Sequence, residues 1–256
     1  MKGIVIAAGK GSRLGRFTIT TPKPLVKVQE KCFFDNTVEN LRALGVNEIA
    51  TVVGYKKNQF KVFKDITFFE NNDWENNNIL QSLFYARDFM DDDLIIVYGD
   101  IWFEEKSFRN IYTSTGDFVI AVDKDWEDYY QGRTDHPISE AENVIYDDNL
   151  HAIQIGKHIS PSEGGKQCIG EFMGLIKISR NIIKDIVSEF ENIESDIRST
   201  DSFQNAKMFK DAYLTDFIQY LINKGYEINC CINSKGWYEV DTEQDLENLR
   251  INLQKG

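Results

Sequence analysis

The feature that most limits how this chain can fold lies at its start. Residues 2–8 are almost wholly apolar, with Ile4, Val5 and Ile6 at the centre, and they run directly into Gly9-Lys10-Gly11-Ser12-Arg13-Leu14. A short apolar run without polar alternation reads as a strand covered on both faces, as in a parallel sheet. A glycine loop at the end of such a strand brings bare backbone N–H groups up to an anion. Arg13 adds a guanidinium, and Pro22-Lys23-Pro24-Leu25 brings a lysine onto the same loop, 9–25. Amides to seat phosphates, a guanidinium to neutralise them and a lysine for developing charge together suit a nucleoside triphosphate. A Walker loop is excluded, because no Gly-Lys-Ser/Thr closes the motif.

The pattern downstream alternates. Helical spacing over 36–44 stops at Gly45, a strand over 48–53 is closed by Gly54, and a short helix at 59–63 precedes a short strand at 67–70. Asn76-Asn77-Asn78 leads into a helix over 79–89, and strands follow at 94–98 and 118–122. Such alternation predicts a parallel sheet with right-handed crossovers, whose ligands bind beyond the carboxyl ends of the strands. The 9–13 loop and Gly99-Asp100 both fall at that edge.

The second half reads as antiparallel strands at 144–146 and 151–155 across Asp147-Asp148-Asn149, then a strand at 171–178. Helices are expected at 182–190 and 214–224, strands at 226–232 and 237–240, and a last helix over 242–253. Thr242 and Asp245 form a capping-box pattern with Asp in place of Glu. The polar stretch 191–207 reads as a loop. No repeat or linker divides the chain, so one domain over 1–256 is expected.

The charge balance narrows the partners. There are 41 acidic and 29 basic residues, a net charge of −12. Nonspecific nucleic-acid binding needs a basic surface and is not expected. An anionic ligand must instead meet a local basic cluster, with a divalent cation between its phosphates and any carboxylate. Asp100 and Asp241 each read, alone, as a turn or cap aspartate. Two carboxylates from such distant positions can share one Mg²⁺, but the sequence leaves open whether they meet. Lys157 at a strand end is either solvated or a clamp for a phosphate. His136, His151 and His158 lack zinc-ligand spacing. Cys32, Cys168, Cys230 and Cys231 contain no CxxC and read as reduced thiols, the adjacent pair pointing to opposite faces of a strand. No apolar run of about 18 residues is present, so no membrane span is expected, and neither is a signal peptide; a cytoplasmic location is the default.

In order, Ala7-Ala8-Gly9-x-Gly11-Ser12-Arg13-Leu14, Pro22-Lys23-x-Leu25, Gly99-Asp100 and Glu239-Val240-Asp241 span the chain. The set resembles the nucleotidyltransferases that join a nucleoside triphosphate to a phosphorylated acceptor, the superfamily of the sugar-1-phosphate enzymes. The resemblance implies an α/β, Rossmann-like fold: a mixed, mostly parallel central sheet flanked by helices, with a small β-rich elaboration on the acceptor side. It implies a nucleotide-binding half over 1–125 and an acceptor-binding half with the C-terminal helix over 126–256. By position it makes Arg13 the triphosphate contact, Lys23 the catalytic cation, and Asp100 and Asp241 the magnesium ligands. Ala7, Ala8, Gly9, Gly11, Ser12 and Gly99 fall to the nucleotide. Lys157 falls to the acceptor phosphate, although sugar enzymes usually carry Glu-Lys-Pro where this chain has Ile155-Gly156-Lys157.

Other segments are similar to small cytidylyltransferases of the phosphocholine type: Asn71-Asn72-Asp73-Trp74, Asn77-Asn78-Ile79 with Ser82-Leu83, and Gly170-Glu171-Phe172-x-Gly174. That likeness adds Asn78 and Ser82 to the nucleotide site and Glu171 to the acceptor site. Arg133-Thr134-Asp135-His136 and Ser139-Glu140-Ala141-Glu142 resemble phosphonate- and phosphoramidate-related members, as an acceptor lid that includes Arg133. Relatives use phosphocholine, aminoalkyl or hydroxyalkyl phosphonates, or the amide phosphate of glutamine.

The implied reaction is Mg²⁺-dependent transfer of CMP from CTP to a small phosphorylated or phosphonate acceptor, with release of pyrophosphate. The implied partners are CTP and that acceptor, with no nucleic acid or membrane; a homo-oligomer is left open. Cytosine preference rests on the resemblance alone. A sugar-1-phosphate nucleotidyltransferase and a non-catalytic nucleotide-binding module remain as alternatives. A dinucleotide oxidoreductase would need an acidic ribose partner after the second strand, where this chain has Gly54-Tyr55-Lys56-Lys57.

Overall fold

The computed structural model describes residues 1–162, 167–198 and 201–255. Its first half runs β1 (Lys2–Ala7), α1 (Phe33–Ala43), β2 (Glu48–Val53), β3 (Thr67–Glu70), α2 (Ile79–Phe84), β4 (Leu94–Tyr98), β5 (Ile101–Phe103), α3 (Glu105–Thr113) and β6 (Phe118–Asp123). Its second half runs β7 (Asn143–Tyr146), β8 (Ala152–Gly156), β9 (Cys168–Ile178), α4 (Ile183–Asp196), α5 (Leu214–Asn223), β10 (Asn229–Asn233), β11 (Trp237–Glu239) and α6 (Glu243–Lys255).

The main sheet has the order β10-β6-β9-β4-β1-β2-β3, with β7 and β8 continuing from β9. β1 lies parallel to β2 and β4, β2 to β3, and β6 to β10, whereas β9 runs antiparallel between β4 and β6. The sheet is thus mixed and mostly parallel in its nucleotide-side half, as the resemblance implies.

Why β1 is apolar throughout is plain from its neighbours. Ile4 and Ile6 enter the core layer beneath α2, α4 and α5, while Val5 and Ala7 enter the layer beneath α1 and α3. Successive side chains alternate between two dry faces, and full burial of each large one contributes about 1.5–3 kcal/mol. Cys230 and Cys231 obey the same rule, one packing in each layer. A third apolar cluster joins Leu14, Val26, Val28 and Phe33 to Val240, Leu246 and Leu249. It fastens the long loop after β1 onto α6.

Several elements differ from expectation. Helix α1 begins at Phe33, three residues early, because Cys32 and Asp35 form a reciprocal cap; cysteine is a poor sequence signal for this. Helix α2 ends at Phe84, and a separate turn at Arg87–Phe89 replaces its expected second half. Helix α4 continues to Asp196, so the first residues of the 191–207 stretch are helical. Ile193 is buried there, and the polar residues beside it form the helix's outer face. Within 201–207, Phe203 is buried and bridges to Ala206; residues 199–200 lie outside the described residues. Strand β5 and helix α3 were not anticipated. At α6 the expected capping box is present, with the Thr242 N–H donating to Asp245 at 2.9 Å and the Asp245 N–H to the Thr242 hydroxyl at 3.2 Å. Among the described residues no helix is long and apolar enough to cross a membrane.

Candidate active site

The loop after β1 turns at Gly11, whose φ of +65° is left-handed. A side chain there would collide with the Lys23 stem, 2.7 Å from its Cβ. Glycine therefore permits both the turn and the close passage of Lys23. The Gly11 carbonyl then accepts from Leu14 N–H at 3.1 Å and from the Thr18 hydroxyl at 3.0 Å. Tyr55, just after β2, braces the loop: its N–H donates to the Ala8 carbonyl, and its hydroxyl lies 2.9 and 2.8 Å from the carbonyls of Thr18 and Ile19.

Lys23 follows Pro22 on a short turn, and its ammonium is the centre of the site. The Nζ donates to Asp100 Oδ2 at 2.9 Å and to Asp241 Oδ1 at 2.5 Å. Arg13 Nη2 takes the other oxygen of Asp241 at 2.6 Å. What joins Asp100 and Asp241 across the sequence is a two-stranded ribbon. β5 starts immediately after Asp100, β11 ends two residues before Asp241, and the strands pair antiparallel with Glu239 opposite Ile101. Burial alone would lower the Lys23 pKa, but the two carboxylates override it and hold the ammonium above the ordinary lysine range. Burial would likewise raise Asp241, yet Lys23 and Arg13 outweigh it and keep that carboxyl below its usual value.

Ala7, Ala8, Gly9, Gly11, Lys23 and Asp100 line a cavity of about 200 Å³, closed on the far side by Trp74, Asn77, Asn78 and Ser82. Buried Asn71 organises that far wall, donating to Asn77 Oδ1 at 2.8 Å and to the Ser82 hydroxyl at 2.9 Å. Asn78 caps α2 by accepting from Ile79 N–H. Gly99 does not reach this cavity. It packs against β1, where an added Cβ would lie 2.7 Å from the Ile6 carbonyl oxygen. Ser12 is exposed at the head of its turn, outside the cavity wall.

The acceptor-side residues fall in two places. Lys157, one residue past β8, pairs with Glu140 at 2.8 Å. It lines a cavity of about 520 Å³ together with Glu142, Tyr213, Thr215 and Asp216. Its ammonium lies 5.0 Å over the Tyr213 ring. Desolvation pushes Glu142 up to about 7, although its bond from the Thr215 hydroxyl and the nearby Lys157 charge work the other way. Arg133 and Glu171 line a different cavity, of about 330 Å³, with Glu239 and Asp245. Arg133 donates to Asp245 Oδ1 at 2.8 Å, lies 3.0 Å from His136 Nδ1, and stacks 4.9 Å over Tyr130. Glu171 accepts from the Tyr130 hydroxyl at 2.6 Å. Sequence reasoning missed Tyr55, Tyr213 and Asp216 as site residues and quoted Glu142 only within the lid segment. It placed His136 in that lid and found no zinc-ligand spacing for it, yet donor atoms of His136, Glu239 and Asp241 lie within 4.8 Å of one another.

A glycine loop, an arginine and a lysine meet two aspartates at one sheet edge. Residues 3–148 match the family model described as the MobA-like NTP transferase domain, and the chain belongs to that family. The chain is 30% identical to CTP:phosphoglutamine cytidylyltransferase of Campylobacter jejuni, over 96% of this chain and 98% of that one. It is 32% identical to choline-phosphate cytidylyltransferase of Streptococcus pneumoniae over 47% of this chain and 53% of that one. Its fold is similar to the solved structure of CTP:phosphocholine cytidylyltransferase from Streptococcus pneumoniae, with a TM-score of 0.73, 20% identity and 98% coverage of both chains. It is equally similar to the inositol-1-phosphate CTP transferase from T. maritima, with a TM-score of 0.73, 19% identity, and coverage of 100% of this chain and 96% of that one.

Proposed function

We propose that this chain transfers CMP from CTP to a small phosphorylated acceptor that carries an ammonium group, releasing pyrophosphate with the help of Mg²⁺. The observation that carries the reading is the meeting of Lys23, Arg13, Asp100 and Asp241 beside the glycine loop. The chain's likeness over nearly its whole length to a relative named for CTP and phosphoglutamine supports both the nucleotide and the acceptor class.

An oxygen of the acceptor phosphate attacks the α-phosphorus of CTP, and the bond to the leaving pyrophosphate breaks as the new P–O bond forms. That oxygen is already anionic at neutral pH, so no general base is needed. The chain must position two anions and offset their repulsion. Loop amides and Arg13 seat the triphosphate, and Lys23 stabilises charge growing on the transferred group. Asp100 and Asp241 offer hard carboxylate oxygens at one point, a donor set that fits Mg²⁺ completed by phosphate oxygens and water. Bound there, the cation supplies charge neutralisation between nucleotide and acceptor. Lys157 grips the acceptor phosphate. Glu142, Asp216 and the Tyr213 ring offer two carboxylates and an aromatic face to its ammonium end.

The test is an acceptor panel with CTP, UTP or dTTP and Mg²⁺, read by pyrophosphate release. Ammonium-bearing phosphates and phosphonates with CTP are expected to turn over fastest. Preference for a sugar 1-phosphate with another nucleotide overturns the reading.

A further inference from the structure

We propose that Lys23 holds the place of the divalent cation: without nucleotide its ammonium fills the position between Asp100 and Asp241, and the cation enters only with the triphosphate that draws the lysine away. The inference rests on the reading of the site as one for a nucleoside triphosphate and Mg²⁺.

Three observations carry it. The Lys23 Nζ is in hydrogen-bond contact with both proposed metal ligands, at 2.9 Å from Asp100 and 2.5 Å from Asp241. Its side chain is only 3% exposed, so it is a packed part of the site and not a surface ion pair. Both oxygens of Asp241 are taken, Oδ1 by Lys23 and Oδ2 by Arg13. Two cations thus pair with the two carboxylates, and each oxygen of Asp241 already accepts from one of them, so a dication must displace a cation to take its place.

The same geometry says what releases the site. The Lys23 stem passes directly against the glycine loop, so close that a Cβ on Gly11 would lie 2.7 Å from its Cβ and 2.8 Å from its Cδ. A triphosphate seated on the loop therefore touches the element that positions the lysine. It also brings several negative charges, giving Lys23 and Arg13 new anionic partners and leaving the aspartates free for a metal. Ammonium and cation compete for one place, so the energy of one is the cost of the other, and nucleotide tips the balance.

The experiment is Mn²⁺ binding followed by electron paramagnetic resonance on the whole chain, wild type and Lys23→Met, with and without CTP and no acceptor. Methionine keeps the unbranched stem and removes the charge. Without nucleotide, Lys23→Met is expected to bind Mn²⁺ about 10-fold or more tightly than wild type, a coupling of ordinary size. Adding Asp100→Asn to Lys23→Met is expected to abolish that gain, which assigns the metal to this position. CTP is expected to tighten Mn²⁺ on wild type far more than on Lys23→Met, after correction for Mn²⁺ held by free CTP. Equal nucleotide-free affinities in the two proteins overturn the proposal. If Lys23→Met loses its native circular dichroism, wild type decides alone: tight Mn²⁺ binding before CTP overturns the proposal, and binding only after CTP sustains it. Calorimetry of CTP with metal-free wild type keeps the two readings apart. No CTP binding there removes the nucleotide assignment, while the nucleotide-free comparison still judges Lys23.

Discussion

The Arg133 guanidinium and the Asp245 carboxylate, 2.8 Å apart, tie the segment between β6 and β7 to the first turn of α6, with side chains 9% and 3% exposed. The same carboxylate caps α6 through Thr242. Burial opposes the charge on Asp245, but the nearby His136 ring, 3.8 Å away, and the bond from Arg133 hold it far below the usual carboxylate range. Removing one partner of such a pair leaves the other buried and uncompensated, at a typical cost of about 3–5 kcal/mol. Arg133→Met is therefore expected to lower stability by about 3 kcal/mol, a fall of roughly 6–12 °C in Tm for a chain this long. Scanning calorimetry reads it. An unchanged melting temperature would leave Arg133 free to meet the acceptor as the sequence suggests.

Lys23→Ala removes the charge aimed at the transferring group. A lost electrostatic contact of this kind costs about 3–4 kcal/mol, so turnover is expected to fall by about 10² to 10³. Steady-state kinetics at saturating CTP measures this. Turnover near that of wild type takes Lys23 out of the reaction.

Glu142 sets a pH dependence with a definite sign. Its carboxyl is pushed up to about 7 in the folded chain, from the ordinary 4.5. Between those values the folded chain keeps a proton that the unfolded chain releases. The stability this confers is complete below about 4.5 and is lost as pH rises through about 7. Glu142→Gln cannot ionise, so denaturation at pH 5 and pH 8 is expected to show a smaller loss in the variant. Acceptor binding runs the other way, because an ammonium needs the carboxylate. The acceptor KM of wild type is expected to fall as pH rises past 7, and that limb is expected to vanish in Glu142→Gln. A variant that keeps it rules Glu142 out as the ammonium partner.

Tyr55→Phe keeps the ring against Trp74, 5.3 Å away, and loses the hydroxyl that bonds the loop carbonyls. One such bond is worth about 1 kcal/mol, so the CTP KM is expected to rise about 5-fold with little change in kcat. A matched fall in kcat with KM unmoved would place the effect on chemistry and not on loop positioning.

Much of the nucleotide side is legible in the residues because it is local. A strand, a glycine turn and a lysine within 23 positions report their own geometry, and β1 with its loop lies where the pattern puts it. The meeting of Asp100 and Asp241 was not legible: the strand expected at 237–240 is β11, but its partner β5 is three residues long, too short for any periodicity to register, so the pairing that joins them left no trace. Helix α3 could have been read: Phe108 and Ile111 are buried three apart. The acceptor-side cavity gathers Lys157, Glu142, Tyr213 and Asp216 from separate segments. Lys157 and Glu142 lie in segments that carry a resemblance, but Tyr213 and Asp216 have no motif of their own, so only the folded chain brings the four together.

The reversed strand β9 has a consequence for how such chains diversify. By standing between β4 and β6 it holds those two parallel strands two strand spacings apart, roughly 10 Å, at the edge where Asp100 and Asp123 emerge. β9 also carries β7, which pairs with β8, and the chain leaving β8 brings Lys157 to the acceptor-side cavity. None of the residues lining that cavity lines the one beside the glycine loop, so the guest molecule can be exchanged by rebuilding this flank while the phosphate cradle stays untouched.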